Sequence, residues 1–342
     1  MTKILAWDCS PKVPSLIPFF LPFAGCPFRC LYCAQDLVTG QEHHDPLSLR
    51  FQRLHKELLQ RRRPDRDPPQ LAFYGGTFTA LPLDAMNYCL EQAQHLLEQG
   101  LISALRCSTR PDALPDDRLL RLREAGMTTI ELGIQSFDEG ALRATERGYG
   151  SIKACEACTK VKDYGFELGV QLLPGMPGLS PGRFLKDVSH AISLGAGLLR
   201  FYPCQVLAKT KLAALWRKGL YSPWDLQTTL ATLAVGYLKA QDAHVPVIRM
   251  GLAPEPSFLQ ARLAGPWHPS LGARVMARSL YLAVLRAKGR AKLVCLRLPR
   301  RLQGFFFGEK GEMRDKWARL ACEILFGNVD RVELDLLETH KT

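Results

Sequence analysis

Residues 16–33, LIPFFLPFAGCPFRCLYC, place three cysteines directly after an apolar run. The apolar part, 16–23, is short and carries no charge, which is typical of a buried strand. The cysteines that follow, Cys26, Cys30 and Cys33, are spaced C-x3-C-x2-C. The stretch therefore predicts a strand that ends in a loop carrying three thiol ligands.

The chain up to residue 203 repeats a strand-then-helix pattern. The predicted strands are 16–23, 70–74, 103–108, 128–133, 166–172 and 198–203, and helical spacing is clear at 47–60, 83–99 and 116–124. Several helical stretches end in a glycine that suits a left-handed cap before a new strand, namely Gly100, Gly126, Gly165 and Gly195. Six such units imply parallel strands, and a partial (β/α)6 TIM-like barrel of the α/β class arranges them economically.

After residue 203 this rhythm changes. The segments are, in order, an amphipathic helix at 224–241, a strand at 245–252, a Pro/Gly-rich stretch, a helix at 272–288, a strand at 292–298, a helix at 313–325 and a strand at 331–336. We therefore place a boundary near residue 243. It divides the chain into a barrel over residues 1–243 and a small α/β C-terminal extension over residues 244–342.

The composition is that of a folded globular protein. The 342 residues are 47% hydrophobic and 23% charged, which excludes a disordered, collagenous or coiled-coil chain. The longest apolar stretch, 13–25, contains three prolines and cannot form a membrane-spanning helix. The first residues, MTKILAWDCSPK, also lack a signal-peptide pattern. We expect a cytoplasmic protein with no membrane partner.

Three thiolates on one loop have two chemical uses. They can hold three irons of a [4Fe-4S] cube and leave the fourth iron without a protein ligand. They could also belong to a zinc site, but structural zinc usually takes four ligands in paired C-x2-C clusters, and no partner pair lies nearby in the sequence.

Polar residues follow the other predicted strands at the ends where a βα barrel carries its active site. The second strand ends in FYGGTF, the third in CSTRPD, the fourth in ELGIQSF, the fifth in VQLLPGMPG and the sixth in RFYPCQV. Polar side chains at the ends of apolar strands usually face a cavity, because burying them unpaired is unfavourable. Gly75 and Gly76 either let a ligand approach the backbone or only form a tight turn.

The cysteine loop on the first of six βα units resembles the radical S-adenosylmethionine superfamily. The resemblance implies that Cys26, Cys30 and Cys33 form the catalytic and metal-binding set and ligate a [4Fe-4S] cluster. The open iron would then bind S-adenosylmethionine. One electron, from a reductant of the flavodoxin or ferredoxin type, would cleave this cofactor to a 5'-deoxyadenosyl radical for hydrogen abstraction.

The same resemblance implies a set of cofactor-binding residues. Tyr32 would offer an aromatic face to adenine, or would simply pack, and the turn that contains Gly75, Gly76 and Thr77 would receive the methionine amino group. The branch that contains coproporphyrinogen dehydrogenases contacts the nucleoside or carboxylate from positions that correspond here to Ser108, Gln135, Arg147 and Gln171. Ser108 and Gln171 stand where that branch often carries acids. Arg147 could alternatively form a surface ion pair at a helix end.

A second resemblance extends over most of the chain. The segments IPFFLPFAGCPFRCLYC, FYGGTFTALP, STRPD, TTIELGIQS, LLPGMPG, IRMGLAP and AGPWHPSLG are similar to the radical domain of the Elongator catalytic subunit and to its stand-alone bacterial relatives. Elongator proteins modify wobble uridine in tRNA and carry an acetyltransferase domain after the radical domain. The residues that follow the barrel here have no acetyl-CoA-binding pattern, so we expect no acetyl transfer.

The net charge of +12 is concentrated near the end of the chain. Residues 271–317 contain 12 Lys/Arg and 3 Asp/Glu, a net charge of +9, and three phenylalanines, 305–307, lie among them. This segment could bind tRNA through phosphates and stacked bases, or its phenylalanines could pack a small core. The alternatives to an RNA substrate are a small metabolite or tetrapyrrole, and a non-catalytic iron-sulfur protein.

Overall fold

The computed structural model describes residues 1–5, 7, 15–27, 29–40, 45–63 and 65–337. Its strands are β1 Thr2–Leu5, β2 Leu16–Phe20, β3 Gln70–Tyr74, β4 Ala104–Thr109, β5 Met127–Gln135, β6 Glu167–Leu172, β7 Leu198–Phe201, β8 Val206–Leu207, β9 Val247–Met250, β10 Arg262–Ala264, β11 Lys292–Pro299, β12 Ala321–Gly327 and β13 Val332–Leu337.

The α-helices alternate with the barrel strands and then flank the smaller sheet. They are α1 Gln35–Thr39, α2 Leu47–Arg61, α3 Leu83–Glu98, α4 Asp116–Glu124, α5 Glu139–Ala144, α6 Ser151–Asp163, α7 Pro181–Ser193, α8 Lys211–Arg217, α9 Leu226–Asp242, α10 Pro256–Ala261, α11 Leu271–Lys288, α12 Gln303–Phe306 and α13 Arg314–Leu320. None of the helices in the described ranges is both long and apolar enough to cross a membrane.

The main sheet is parallel and has the order β2-β3-β4-β5-β6-β7-β9. Its strands are apolar because helices cover the outer face, and Leu71, Ala72 and Phe73 of β3 are fully buried. The sheet curls into a half-barrel, so the predicted α/β class and partial TIM-like barrel are confirmed. The carboxyl ends of these strands lie at one edge, where the cysteine loop leaves β2.

The sheet contains a seventh strand that the sequence pattern placed elsewhere. Residues 245–252 were expected in the C-terminal extension, but β9 pairs in parallel with β7, with Leu199 opposite Val247 and Arg200 opposite Arg249. The repeat was hidden because β8, α8 and α9 all lie between these two strands. The boundary near residue 243 stays a prediction, and the barrel sheet takes strands from both sides of it.

The second sheet has the order β1-β13-β11-β12. Strand β1 was not predicted because four residues carry little local signal, and its antiparallel partner β13 lies at the far end of the chain. The predicted helix at 313–325 is wrong in its second half: α13 ends at Leu320 and the chain continues as β12, parallel to β11. Pairing with the exposed edge of β11 outweighs the local helical pattern there.

One continuous apolar core joins the barrel to the second sheet. Phe306 is fully buried in it and stacks on Trp317 with ring centroids 4.3 Å apart. Phe305 and Phe307 are half-buried against the same core. The phenylalanines of the basic segment thus pack the small unit, and Phe306 is inaccessible to a base.

We expect Phe306→Ala to lower the free energy of unfolding by about 3–5 kcal/mol, because it removes a fully buried ring and leaves a cavity. The exposed Leu325→Ala is the matched control and should change it by less than about 0.5 kcal/mol. Urea unfolding followed by circular dichroism measures both. Equal effects of the two substitutions would contradict the packing described for Phe306.

Candidate active site

The strand ends of the barrel surround a cavity of about 610 Å³. Ten of the predicted site residues line it, namely Cys26, Cys30, Tyr32, Cys33, Gly75, Gly76, Ser108, Gln135, Arg147 and Gln171. Thr77 lies just behind the wall, where its Oγ1 is 3.3 Å from the Cys26 Sγ atom. The fold therefore brings together residues that are up to 145 positions apart, from Cys26 to Gln171.

The cysteine loop is built from two tight turns. The N–H of Cys26 donates to the carbonyl of Phe23 at 3.1 Å, and the N–H of Cys33 donates to the carbonyl of Cys30 at 3.0 Å. Phe23 and Gly25 both have left-handed backbone, at φ 57° and 72°. Phenylalanine rarely adopts this conformation, so the loop must be held from outside.

The glycine turn after β3 holds that loop. Gly75 and Gly76 are left-handed, and a Cβ on Gly76 would lie 2.1 Å from the Ala24 carbonyl oxygen. A Cβ on Gly25 would lie 2.3 Å from the carbonyl oxygen of Thr77. The two turns therefore pack backbone against backbone. This packing role of the glycines was not predicted from the sequence.

A side chain that sequence reasoning missed links the two turns. The Gln35 Oε1 atom accepts hydrogen bonds from the N–H of Phe23 at 2.5 Å and from the N–H of Gly76 at 2.8 Å. Gln35 lies two residues after Cys33, and nothing in the sequence marks it as a site residue. Its position at the start of α1 places its side chain beside the two turns.

Two arginines flank Cys30. The Arg147 Nη1 atom donates to the Cys30 Sγ atom at 2.9 Å, and the Arg110 Nη1 atom lies 3.6 Å from the same sulfur. Arg147 is buried and also donates to the Gly133 carbonyl at 2.6 Å, so the alternative of a surface ion pair is wrong. Arg110 was not singled out from the sequence, although STRPD contains it.

The surroundings of the thiols differ. Burial, together with the neighbouring Cys30 and Cys26, raises the pKa of Cys33 to about 12. Burial likewise raises the pKa of Cys26, against the hydrogen bond from Thr77. A bound cation would stabilise these sulfurs as thiolates, which are the metal-ligating form.

The donor set consists of three thiols that line one cavity. A four-iron cube binds each thiolate at a different iron, so its cysteines surround the group without converging on one point. Beside them the Tyr32 hydroxyl is buried with no hydrogen-bond partner, as expected where a ligand completes the site.

The end of β5 is strained and anchored. Gln135 is buried with φ 68°, at an irregularity in the pairing of β5 with β6. The next two residues are held by Asp187 of α7, which accepts from the Ser136 hydroxyl at 2.5 Å and from the N–H of Phe137 at 3.0 Å. Burial raises the pKa of Asp187 to about 6. Gln171 reaches Gln135 across the strands, with Nε2 3.4 Å from Oε1.

Comparison with protein families agrees with this arrangement. The model of the Radical SAM superfamily matches residues 20–191, half of the chain, and the model of the Radical_SAM C-terminal domain matches residues 197–280. The chain belongs to the radical S-adenosylmethionine superfamily, a superfamily of enzymes that use a [4Fe-4S] cluster and S-adenosylmethionine.

Two curated proteins are similar in sequence to this chain. A protein of Methanocaldococcus infernus named tRNA uridine(34) acetyltransferase is 28% identical over 249 residues, covering 62% of this chain and 47% of the relative. The Elongator complex protein 3 of Mus musculus is 26% identical over 271 residues, covering 65% and 49%. The chain thus spans about half the length of these relatives.

A solved structure supports the fold. The archaeal Methanocaldococcus infernus Elp3 with an N-terminal deletion superposes with a TM-score of 0.62 over 80% of this chain and 64% of that one. At 20% sequence identity the likeness concerns the fold. It agrees with the expected resemblance to the radical domain of Elongator.

We expect Gly76→Ala to abolish most iron binding, because the new Cβ would collide with the Ala24 carbonyl and displace the cysteine loop. Gly100→Ala is the matched control: both glycines have φ 63°, but Gly100 has no heavy atom within 4 Å of the added carbon. The control should lower stability by about 1–2 kcal/mol and bind iron normally. Iron content after anaerobic reconstitution is the measurement, and equal iron in both variants would contradict the interlocked turns.

Proposed function

We propose that this chain binds a [4Fe-4S] cluster through Cys26, Cys30 and Cys33 and cleaves S-adenosylmethionine reductively to start a hydrogen abstraction. The observation that carries the proposal is that all three thiols line one barrel cavity, beside a glycine turn that packs against their loop. When bound and reduced by a flavodoxin- or ferredoxin-type donor, the cluster supplies the one-electron cleavage that yields the 5'-deoxyadenosyl radical.

The protein's own residues would position the cofactor. Gly75, Gly76 and Thr77 would receive its amino group, Tyr32 would lie beside the adenine, and Ser108, Gln135, Arg147 and Gln171 would contact the nucleoside or carboxylate. Support comes from the cavity that all of them except Thr77 line, and from Arg147, which is buried without a carboxylate partner within salt-bridge distance in the described part of the chain. A buried guanidinium of this kind suits a carboxylate ligand.

The barrel would protect the radical. Strand ends and buried side chains such as Tyr74, Gln135 and Leu173 form part of the cavity wall, and such a wall would limit the access of water and competing hydrogen donors. All ten cysteines in the described ranges are free thiols, which is in keeping with the expected reducing cytoplasm.

We further propose tRNA as the substrate. The names of the curated relatives support it, and so do exposed cations of the C-terminal unit such as Arg300, Arg301 and Arg331. Part of the predicted charge is neutralised internally, since Glu312 pairs with both Arg274 and Arg278. Arg301 donates to the Asp330 carbonyl, which places these exposed cations near one another between β11 and β13.

We expect Cys30→Ala to lose the cluster and all formation of 5'-deoxyadenosine from S-adenosylmethionine and dithionite. Cys158→Ala is the control, because Cys158 is a fully buried thiol on α6, away from the cavity. Anaerobic reconstitution, iron analysis and chromatography of the nucleoside provide the readouts. Undiminished cleavage after all three loop cysteines are replaced would refute the proposal.

Adding bulk tRNA to the wild-type reaction tests whether tRNA is the substrate. Cleavage stimulated by tRNA supports RNA modification. Cleavage that tRNA does not affect points to a small metabolite or tetrapyrrole, and an intact cluster that cleaves nothing points to a non-catalytic iron-sulfur protein.

We expect the double variant Arg300→Gln/Arg331→Gln to bind tRNA more weakly and to reduce the slope of log K against log salt by about one per lost phosphate contact. Lys186→Gln/Lys218→Gln removes the same charge from exposed positions of the barrel exterior and is the control. Filter binding at several salt concentrations measures both. Identical slopes for the two variants would exclude these arginines from an RNA interface.

A further inference from the structure

Strands β7 and β9 bring a second group of polar side chains to the cavity. Arg200, Tyr202, Gln205 and Arg249 all line it, and the cofactor assignments above use none of them. Arg200 lies on β7, Tyr202 and Gln205 follow it, and Arg249 lies on β9, whereas the cysteine loop follows β2.

Arg200 is fixed in place, and its Nε atom has no partner. Its Nη1 atom binds the Glu131 Oε2 atom at 2.7 Å, and its guanidinium carbon lies 4.5 Å from the ring centre of Tyr74 and 5.2 Å from that of Tyr202. The Nε atom is buried and has no hydrogen-bond partner. The rings of Tyr74 and Tyr202 and the Glu131 carboxylate hold the side chain in place. The Nε–H group therefore cannot turn toward water.

Gln205 leaves an acceptor unpaired in the same wall. Its Nε2 atom donates to the carbonyls of Pro203 and Pro266, both at 3.1 Å, which fixes the orientation of the amide. Its Oε1 atom is buried without a partner. Of the five such atoms found among the described residues, three belong to residues of this cavity: Tyr32, Arg200 and Gln205. Leaving such an atom unpaired is unfavourable, so their clustering points to a ligand.

Guanidinium charge exceeds carboxylate charge in this wall, although Glu255 also lines the cavity. Glu131 lies behind it between two guanidiniums, with Arg106 at 3.0 Å and Arg200 at 2.7 Å, so one positive charge stays uncompensated. Arg249 stands opposite Arg200 on β9 and has no acidic partner within salt-bridge distance in the described ranges. Although burial alone would lower it, Tyr202 and Glu131 raise the pKa of Arg200, which therefore stays protonated.

We propose that Arg200 and Arg249 bind an oxyanionic group of the substrate, a carboxylate or a phosphate, inside the barrel, and that Gln205 accepts a hydrogen bond from the same molecule. The inference rests on the proposed function, because it assigns the substrate end of the cavity that the cofactor leaves open. Under the proposed function Arg147 contacts the nucleoside or carboxylate of S-adenosylmethionine, which leaves Arg200 for a second ligand.

The test is a binding measurement that does not require turnover. Cluster-loaded protein, kept oxidised and saturated with S-adenosylmethionine, is titrated calorimetrically with inorganic phosphate, with malonate and with tetramethylammonium as the cationic control. We expect at least one oxyanion to bind the wild type and Arg200→Gln to weaken it about tenfold or more. Whether phosphate alone, malonate alone or both bind then shows which oxyanionic group the site accepts.

Matched variants keep the test decisive. Arg249→Gln should weaken the same oxyanion, whereas Arg290→Gln, an exposed arginine that does not line the cavity, should leave its affinity unchanged. Arg200→Lys preserves the charge beside Glu131 but not the planar fork, so it should also bind weakly, and it replaces Arg200→Gln if that variant fails to fold. No oxyanion binding by the wild type, or equal binding by the Arg200 and Arg290 variants, would overturn the proposal.

Failure of the proposed function would be visible separately. The affinity for S-adenosylmethionine is measured on the same samples, and we expect the Arg200 variants to retain it. If the wild type does not bind S-adenosylmethionine, the cofactor assignment fails, and the oxyanion titration repeated without it still decides the role of Arg200.

Discussion

The candidate site depends on the contact between two turns of backbone. The loop after β2 bends at Phe23 and Gly25, and the turn after β3 fits against it so closely that Gly76 has no space for a side chain. Gln35 then satisfies one N–H from each turn. Because hydrogen bonds hold the main chain here, the three cysteines start from a fixed frame, which lowers the entropy lost when a cluster binds.

The cavity above this frame has two positively charged regions with different partners. Arg147 and Arg110 lie at the Cys30 sulfur; Asp112 already pairs with Arg110, so a thiolate and a carboxylate would balance Arg147. Arg200 and Arg249 come from β7 and β9, and Glu131 pairs with Arg200. Separate positive regions allow two anionic ligands to be held at once without competing for one guanidinium, which a reaction between cofactor and substrate requires.

The sequence pattern predicted the structural features that depend on residues close together in the chain. The six predicted barrel strands and the cysteine spacing were readable because burial and ligand chemistry act over a few residues. The seventh strand β9, the strand β1 and the conversion of residues 321–327 to β12 depend on partners distant in sequence. In the site, Gln135 and Arg147 were predicted from the family resemblance. The contacts of Gln35, Arg110 and Arg200 become visible only in the folded structure, because turns and strands distant in sequence supply their partners.

The pairing of β1 with β13 also bears on how the chain folds during synthesis. Residues 2–5 leave the ribosome before the barrel strands, yet their partner, residues 332–335, emerges only after those strands. The strands from β2 to β7 follow one another in the sheet and can assemble in order as they appear. Strand β1 must wait, so the small sheet closes late and its edge stays available for wrong pairings until then.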